Sequence, residues 1–117
     1  MVVQLNYTSE EIDDALSTYT VNNTTQVSSD YSVTSTDKVL LVDTSTGDVT
    51  ITLELSSSRA AVELSIIKTS NDSNSVIIQT SGSDTIENNE SNSSYTIIVK
   101  GDSARLMPDN RTKYWVY

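Results

Sequence analysis

The stretch VLLVDTSTGDVTITLEL, residues 39–55, decides how this chain folds. Within it Val49, Ile51, Leu53 and Leu55 alternate with Thr50, Thr52 and Glu54, the period of a strand with one dry face and one wet face. The preceding run Val39-Leu40-Leu41-Val42 is apolar on both faces, so both of its sides need cover. Between them lies a polar loop with one glycine, Gly47, a residue tolerant of positive φ, and the pattern predicts a β-hairpin.

The same alternation continues towards the C-terminus. Val62, Leu64 and Ile66 alternate with Glu63 and Ser65, Val76-Ile77-Ile78 is a short apolar run, and Tyr95, Ile97 and Val99 alternate with Thr96 and Ile98. Ala104 to Met107 and Tyr114 to Tyr117 read as the last two strands, with Pro108-Asp109-Asn110 as turn chemistry between them. Short strands separated by polar loops, with no helix among them, predict an all-β fold, an antiparallel β-sandwich or barrel-like domain. Nothing in the pattern asks for a parallel α/β sheet, and no fixed internal period is visible.

One helix is expected, near the N-terminus. Thr8-Ser9-Glu10-Glu11 fits a capping box, and Ile12, Ala15, Leu16 and Tyr19 follow at helical spacing. A helix of about three turns is marginal alone in water and needs a partner surface. Residues 20–30 lack periodicity and read as an extended linker. The chain therefore divides into an attachment segment, residues 1–30, and a β-domain, residues 31–117. Beginning at Met1 and ending in a strand of its own, it is expected to be complete.

The doubly apolar runs Val39 to Val42, Ile66-Ile67, Val76 to Ile78 and Ile97 to Val99 call for cover on two faces in a chain with little helix to supply it. Either two sheets pack on each other with extra loops or sister chains cover the second face, and the thin aromatic content and small size favour a homo-oligomer. Its interface is expected at Ile12, Ala15, Leu16 and Tyr19 on the helix and at Leu40 and Val42 on the first β-strand.

Composition removes several function classes. The chain carries 7 Lys and Arg against 16 Asp and Glu, a net charge of −9, with no basic stripe, so it repels nucleic acid and anionic lipid. It has no His and no Cys, which removes the commonest general base, metal ligand and thiol nucleophile. No secretory signal and no membrane-length apolar run are present, so no membrane insertion is expected.

Four groups of residues invite a chemical reading. Asp84 and Glu87 lie near each other as a glycosidase carboxylate pair would, but they sit in a loop-rich segment without aromatics to hold a sugar, and a solvated loop that keeps its charges in water is the preferred reading. Asp72 and Asn74 alternate like calcium-loop ligands without the glycine or terminal glutamate of an EF-hand, which a polar turn explains. Thr50-Ile51-Thr52 hints at an ice-binding rank of threonines, although threonine is an ordinary residue on an exposed strand face. Tyr114, Trp115 and Tyr117 form an aromatic cluster suited to stacking on glycans, with Trp115 and Tyr117 on one face. No catalytic residue, metal site or cofactor is assigned.

With these residues in view, the order of motifs resembles a β-domain recurring in bacteriophage and prophage structural proteins, notably fibres and tail-associated proteins. The matching features are Val42-Asp43, Gly47, Val49 to Leu53, Ile67-Lys68, Asn74, Val76, Gly82, Asp84-Thr85-Ile86, Tyr95 and Trp115-Val116, spread over residues 35–117. The sequence departs from the family pattern at Leu53-Glu54, where Leu-Pro is usual, and at Asp109-Asn110-Arg111, where Asp-Gly precedes the final strand. The N-terminal YTSEEIDDAL is similar to the helical lead-ins of phage fibres. The resemblance implies a non-enzymatic, trimeric protein on the virion exterior, a capsid-decorating, head-fibre or short tail-fibre protein. Its implied partners are its own copies and capsid or tail structural proteins. The alternative is a carbohydrate-binding adhesion module for host surface glycans, using Tyr114, Trp115 and Tyr117.

Overall fold

A computed structural model describes residues 24–59 and 62–117. Between residues 24 and 79 the short strands come in pairs, and each pair forms one coil of a stack. The first coil holds β1 (Thr24–Val27) and β2 (Tyr31–Ser32), and the second β3 (Val39–Val42) and β4 (Val49–Thr52). The third holds β5 (Leu64–Lys68) and β6 (Val76–Gln79). In each coil the first strand joins one sheet and the second strand the other, so β1, β3 and β5 lie parallel in sheet A while β2, β4 and β6 lie parallel in sheet B. Like residues stack on like: Val27 pairs with Val42, Leu40 with Ile66, Val49 with Val76 and Ile51 with Ile78.

The remaining strands close the stack: β7 (Thr85–Glu87), β8 (Ser91–Asn92), β9 (Ser94–Ile97), β10 (Ser103–Pro108) and β11 (Lys113–Val116). Strand β10 runs antiparallel to β5, β11 antiparallel to β10, and β7 parallel to β11, giving sheet A the order β1-β3-β5-β10-β11-β7-β8. Sheet B ends with β9 antiparallel to β6. The two sheets face each other across a core that includes Leu40, Val42, Ile51, Leu64, Ile66, Ile78, Leu106 and Tyr114, each at 0% exposure.

The all-β expectation holds, but the sheets are mixed and not antiparallel. The predicted hairpin does not form: β3 and β4 lie in different sheets. The reason lies in the loop between them. Thr44 is fully buried, its amide donates to Ser70 Oγ at 2.8 Å and its hydroxyl to Asp72 Oδ1 at 2.7 Å, so the loop is fastened to the next coil instead of folding back. Asp48 Oδ1 then accepts the Ser75 amide at 2.8 Å. Gly47, at φ 150°, takes the backbone conformation its lack of Cβ permits.

Two further expectations change. The segment read as a linker contains β1, which pairs along its length with β3, so sheet A starts at Thr24, ahead of the boundary placed before Tyr31. The run Ile97 to Val99 is not covered on both faces, because β9 ends at Ile97 and leaves Ile98 and Val99 each 58% exposed. The predicted helix, with Ile12, Ala15, Leu16 and Tyr19, lies outside the described residues. Among the described residues, no helix is long and apolar enough to cross a membrane.

Candidate functional site

Alternation along β5, β10 and β11 sorts their side chains between core and surface. Leu64, Ile66, Ala104, Leu106 and Tyr114 point inward and are buried. Their neighbours Ile67, Arg105, Met107 and Trp115 form the outer face of sheet A. Trp115 is 47% and Tyr117 58% exposed, and Met107 lies directly opposite Trp115 on the adjacent strand. The Arg105 guanidinium stacks 4.8 Å from the Tyr117 ring centroid, and its Nε donates to Glu63 Oε2 at 2.9 Å. Across the strand from Trp115 is Glu87, whose Oε2 accepts the Lys113 ammonium at 3.1 Å.

The aromatic cluster is thus divided. Tyr114 is a core residue at 0% exposure, its hydroxyl donating to the Glu54 carbonyl at 2.9 Å, and burial pushes its phenol well above the ordinary value. It cannot stack on a glycan. Trp115 and Tyr117 share the exposed face that alternation assigned to them.

Leu40 and Val42, expected at an interface, are fully buried inside the chain's own core. Their outward neighbours Val39 and Leu41 are half-buried. The apolar face of β3 that remains available is therefore the opposite one.

The carboxylates weighed as candidate chemistry serve the fold. Asp84 is buried, and its Oδ2 accepts the Ser56 amide at 2.7 Å, fixing the 3-10 turn Ser56–Ser58. Glu87 accepts from the Ser91 and Thr85 hydroxyls, at 2.6 Å each, and from Lys113. These donors, Ser91 foremost, hold its carboxyl down at about 2. The two acids belong to separate networks and do not form a glycosidase pair. At the calcium-like loop the Asp72 carboxylate meets a cation from its own chain: Lys68, fully buried, donates to Asp72 Oδ1 at 3.0 Å and to the Ser70 carbonyl at 2.7 Å. The Asn74 side chain donates through Nδ2 to the Thr44 carbonyl at 2.7 Å, fastening this loop to the coil before it. Among the described residues, no group of acids is arranged to hold a metal ion.

Sheet B presents a different outer face. Ser32, Thr52, Gln79 and Ser94 form one polar row and Thr50, Ile77 and Thr96 the next, with Gln79 Nε2 donating to Thr52 Oγ1 at 3.0 Å. These threonines line an ordinary hydrated sheet face.

Two features escaped the sequence reading. Arg59 is a buried hub whose guanidinium bonds Glu54 and the carbonyls of Thr34, Asp37, Val62 and Glu63. The outward set Arg105 and Met107 was also missed, although the alternation Ser103-Ala104-Arg105-Leu106-Met107 carries the signal. Comparisons with protein-family models, curated proteins and solved structures return no match.

Proposed function

We propose that this chain is a non-enzymatic structural protein of a phage virion exterior, a head-decorating, head-fibre or short tail-fibre protein, assembled as a trimer. In this reading the N-terminal segment docks on a capsid or tail site and the β-domain projects outward. The family resemblance suggests the class, and the use of the aspartates carries it. Asp30, Asp37, Asp43, Asp48, Asp72, Asp84 and Asp109 each accept a main-chain N–H, fastening turns and neighbouring coils. A chain whose carboxylates hold its backbone in place is suited to a mechanical role. The test is immunogold labelling and mass spectrometry of purified particles from the phage or induced prophage that encodes it. Stoichiometric presence on the particle surface is expected; absence from purified particles overturns the proposal.

A second reading, adhesion to host glycans, is favoured by the exposure of Trp115 and Tyr117 on one sheet face. It requires glycan-array binding that Trp115→Ala abolishes with the fold intact.

A further inference from the structure

We infer that the free edge of β9 is the seat of the chain's own N-terminal stretch, residues 2–7 (Val-Val-Gln-Leu-Asn-Tyr), which adds to sheet B as one more strand. The seat depends on this chain alone and not on any virion partner.

Register decides which groups of β9 are free. The Thr80 amide donates to the carbonyl of Ser93, directly opposite it, at 3.0 Å, so in this antiparallel pair Ser93, Tyr95 and Ile97 exchange hydrogen bonds with β6. The main-chain N–H and C=O groups of Ser94 and Thr96 therefore point away from β6. Strand β7 pairs with the preceding Ser91 and Asn92 and goes no further, and among the described residues β9 pairs with β6 alone. Beside β9 lies a groove of about 470 Å³ lined in part by Tyr95, Thr96, Ile97, Ile98 and Val99, with Ile98 and Val99 exposed. Residues 91–99 carry no charged side chain and no proline. Edge strands left to solvent are ordinarily blunted by such residues, and an edge without them accepts another strand.

The N-terminal stretch has the matching pattern. Val3, Leu5 and Tyr7 alternate with Gln4 and Asn6, so a strand there turns one apolar face to the groove and one polar face to water, and residues 2–9 carry no charged side chain. It is also tethered within reach. Residues 8–23 join it to β1 at Thr24 and span about 30 Å even with residues 8–19 helical. Strand β1 lies in the opposite sheet, three strand positions back from β9, a separation of roughly 25 Å. A short tether holds the segment at an effective concentration of about a millimolar, which a separate molecule has to exceed. The first coil does not compete for it. There Asp37, nearly fully buried, accepts the Thr25, Tyr31 and Thr34 hydroxyls and the Thr34 amide, and neither β1 nor β2 carries an exposed large apolar side chain.

The two edges of β9 supply the test, because the Ile97 amide faces β6 and the Thr96 amide faces the groove. Amide hydrogen exchange is followed by NMR in the full-length chain, as wild type and as Leu5→Pro, with Ile97 as the internal reference for folding. In the wild type Thr96 is expected to exchange at least about a hundredfold more slowly than an unprotected amide. In Leu5→Pro it is expected to accelerate at least about tenfold while Ile97 stays protected, since proline removes a ladder donor. Leu5→Glu, which puts a charge into the groove and leaves the backbone able to pair, is a second variant expected to act in the same direction. Exchange of Thr96 at the unprotected rate in the wild type overturns the inference, and so does protection that survives both substitutions. Protection that fades as the wild type is diluted puts another copy's strand on the edge and overturns the assignment to the chain's own segment.

Discussion

Arg59 Nη1 and Glu54 Oε1 form an ion pair at 3.0 Å, with the arginine side chain at 0% exposure. The remaining guanidinium hydrogens go to carbonyls of Thr34 and Asp37 on one segment and of Val62 and Glu63 on another. One planar fork therefore ties the link between the first two coils to the entry of the third. A guanidinium fits this role because its five donors are fixed in a plane, whereas an ammonium presents only three. Arg59→Met is expected to destabilise the fold by about 3–5 kcal/mol, since it strands a carboxylate and several buried carbonyls. Arg59→Lys should recover only part of this. Urea unfolding followed by circular dichroism measures both, and a loss under about 1 kcal/mol for Arg59→Met would show that water replaces the hub.

Acid should weaken the protein through two carboxylates. The Thr44 hydroxyl and the Lys68 ammonium hold Asp72 well below the usual range, and the Ser91 and Thr85 hydroxyls with Lys113 hold Glu87 at about 2. In the unfolded chain both groups titrate near 4. A depressed folded value means that the unfolded state binds protons first, so stability is fully present above about pH 4.5 and falls as pH drops towards 2. Melting temperature recorded across that window should decline steadily. Glu87→Gln and Asp72→Asn should each melt lower than wild type at pH 7 and show a shallower decline; parallel curves for variants and wild type would remove these groups as the cause.

The strand pattern could be read from the sequence residue by residue, whereas the pairing could not. Val49, Ile51 and Leu53 are buried and Thr50 and Thr52 half-buried, as alternation requires, because period two reports directly which side of a strand is dry; Leu55, assigned to the same dry face, lies beyond the end of β4 and is 43% exposed. Alternation says nothing about which strand lies alongside. Gly47 and its polar neighbours look the same whether the chain turns back or crosses to the opposite sheet, and the choice falls to long-range bonds such as Thr44 to Ser70 and Asp72. The coils also hide from a search for repeats, since Thr24, Val39 and Ser65 are stacked equivalents at unequal separations set by loop length. Lys68 occupies the inward position after Leu64 and Ile66, so its burial was legible in principle; its charge led away from that reading. Arg59, in a turn without periodicity, carried no such signal.

Tyr114 separates the core from the aromatic surface. Its ring is fully buried, and its hydroxyl bonds the Glu54 carbonyl. Tyr114→Phe removes one hydrogen bond and should cost about 1 kcal/mol. Tyr114→Ala also opens a cavity and should cost about 3–5 kcal/mol. Trp115→Ala, on the outer face of the same strand, should leave the stability of the isolated monomer within about 0.5 kcal/mol. Thermal unfolding of the three variants at low concentration checks the ordering, and a Trp115 effect as large as that of Tyr114 would mean the outer face is packed within the single chain.

Asp30 and Asp48 occupy corresponding places just ahead of β2 and β4, and each reaches to the next coil: Asp30 Oδ1 accepts the Thr50 amide and Asp48 Oδ1 the Ser75 amide, both at 2.8 Å. Each bond satisfies a main-chain donor at the start of the following strand, where the ladder itself has no partner to offer. Removing either acceptor by alanine should cost about 1 kcal/mol, because the stranded amides are near the surface and water recovers part of the loss. Asparagine keeps a carbonyl oxygen in the same place, so Asp30→Asn and Asp48→Asn should lose less than half as much. The two sites join different pairs of coils and share no partner, so Asp30→Ala and Asp48→Ala should add to within about 0.5 kcal/mol in the double variant. Amide exchange at Thr50 and Ser75 reads each fastening separately: Asp30→Ala should accelerate exchange at Thr50 while leaving Ser75 protected, and Asp48→Ala the reverse. Acceleration at both sites in either single variant would show instead that the coils loosen as one cooperative unit.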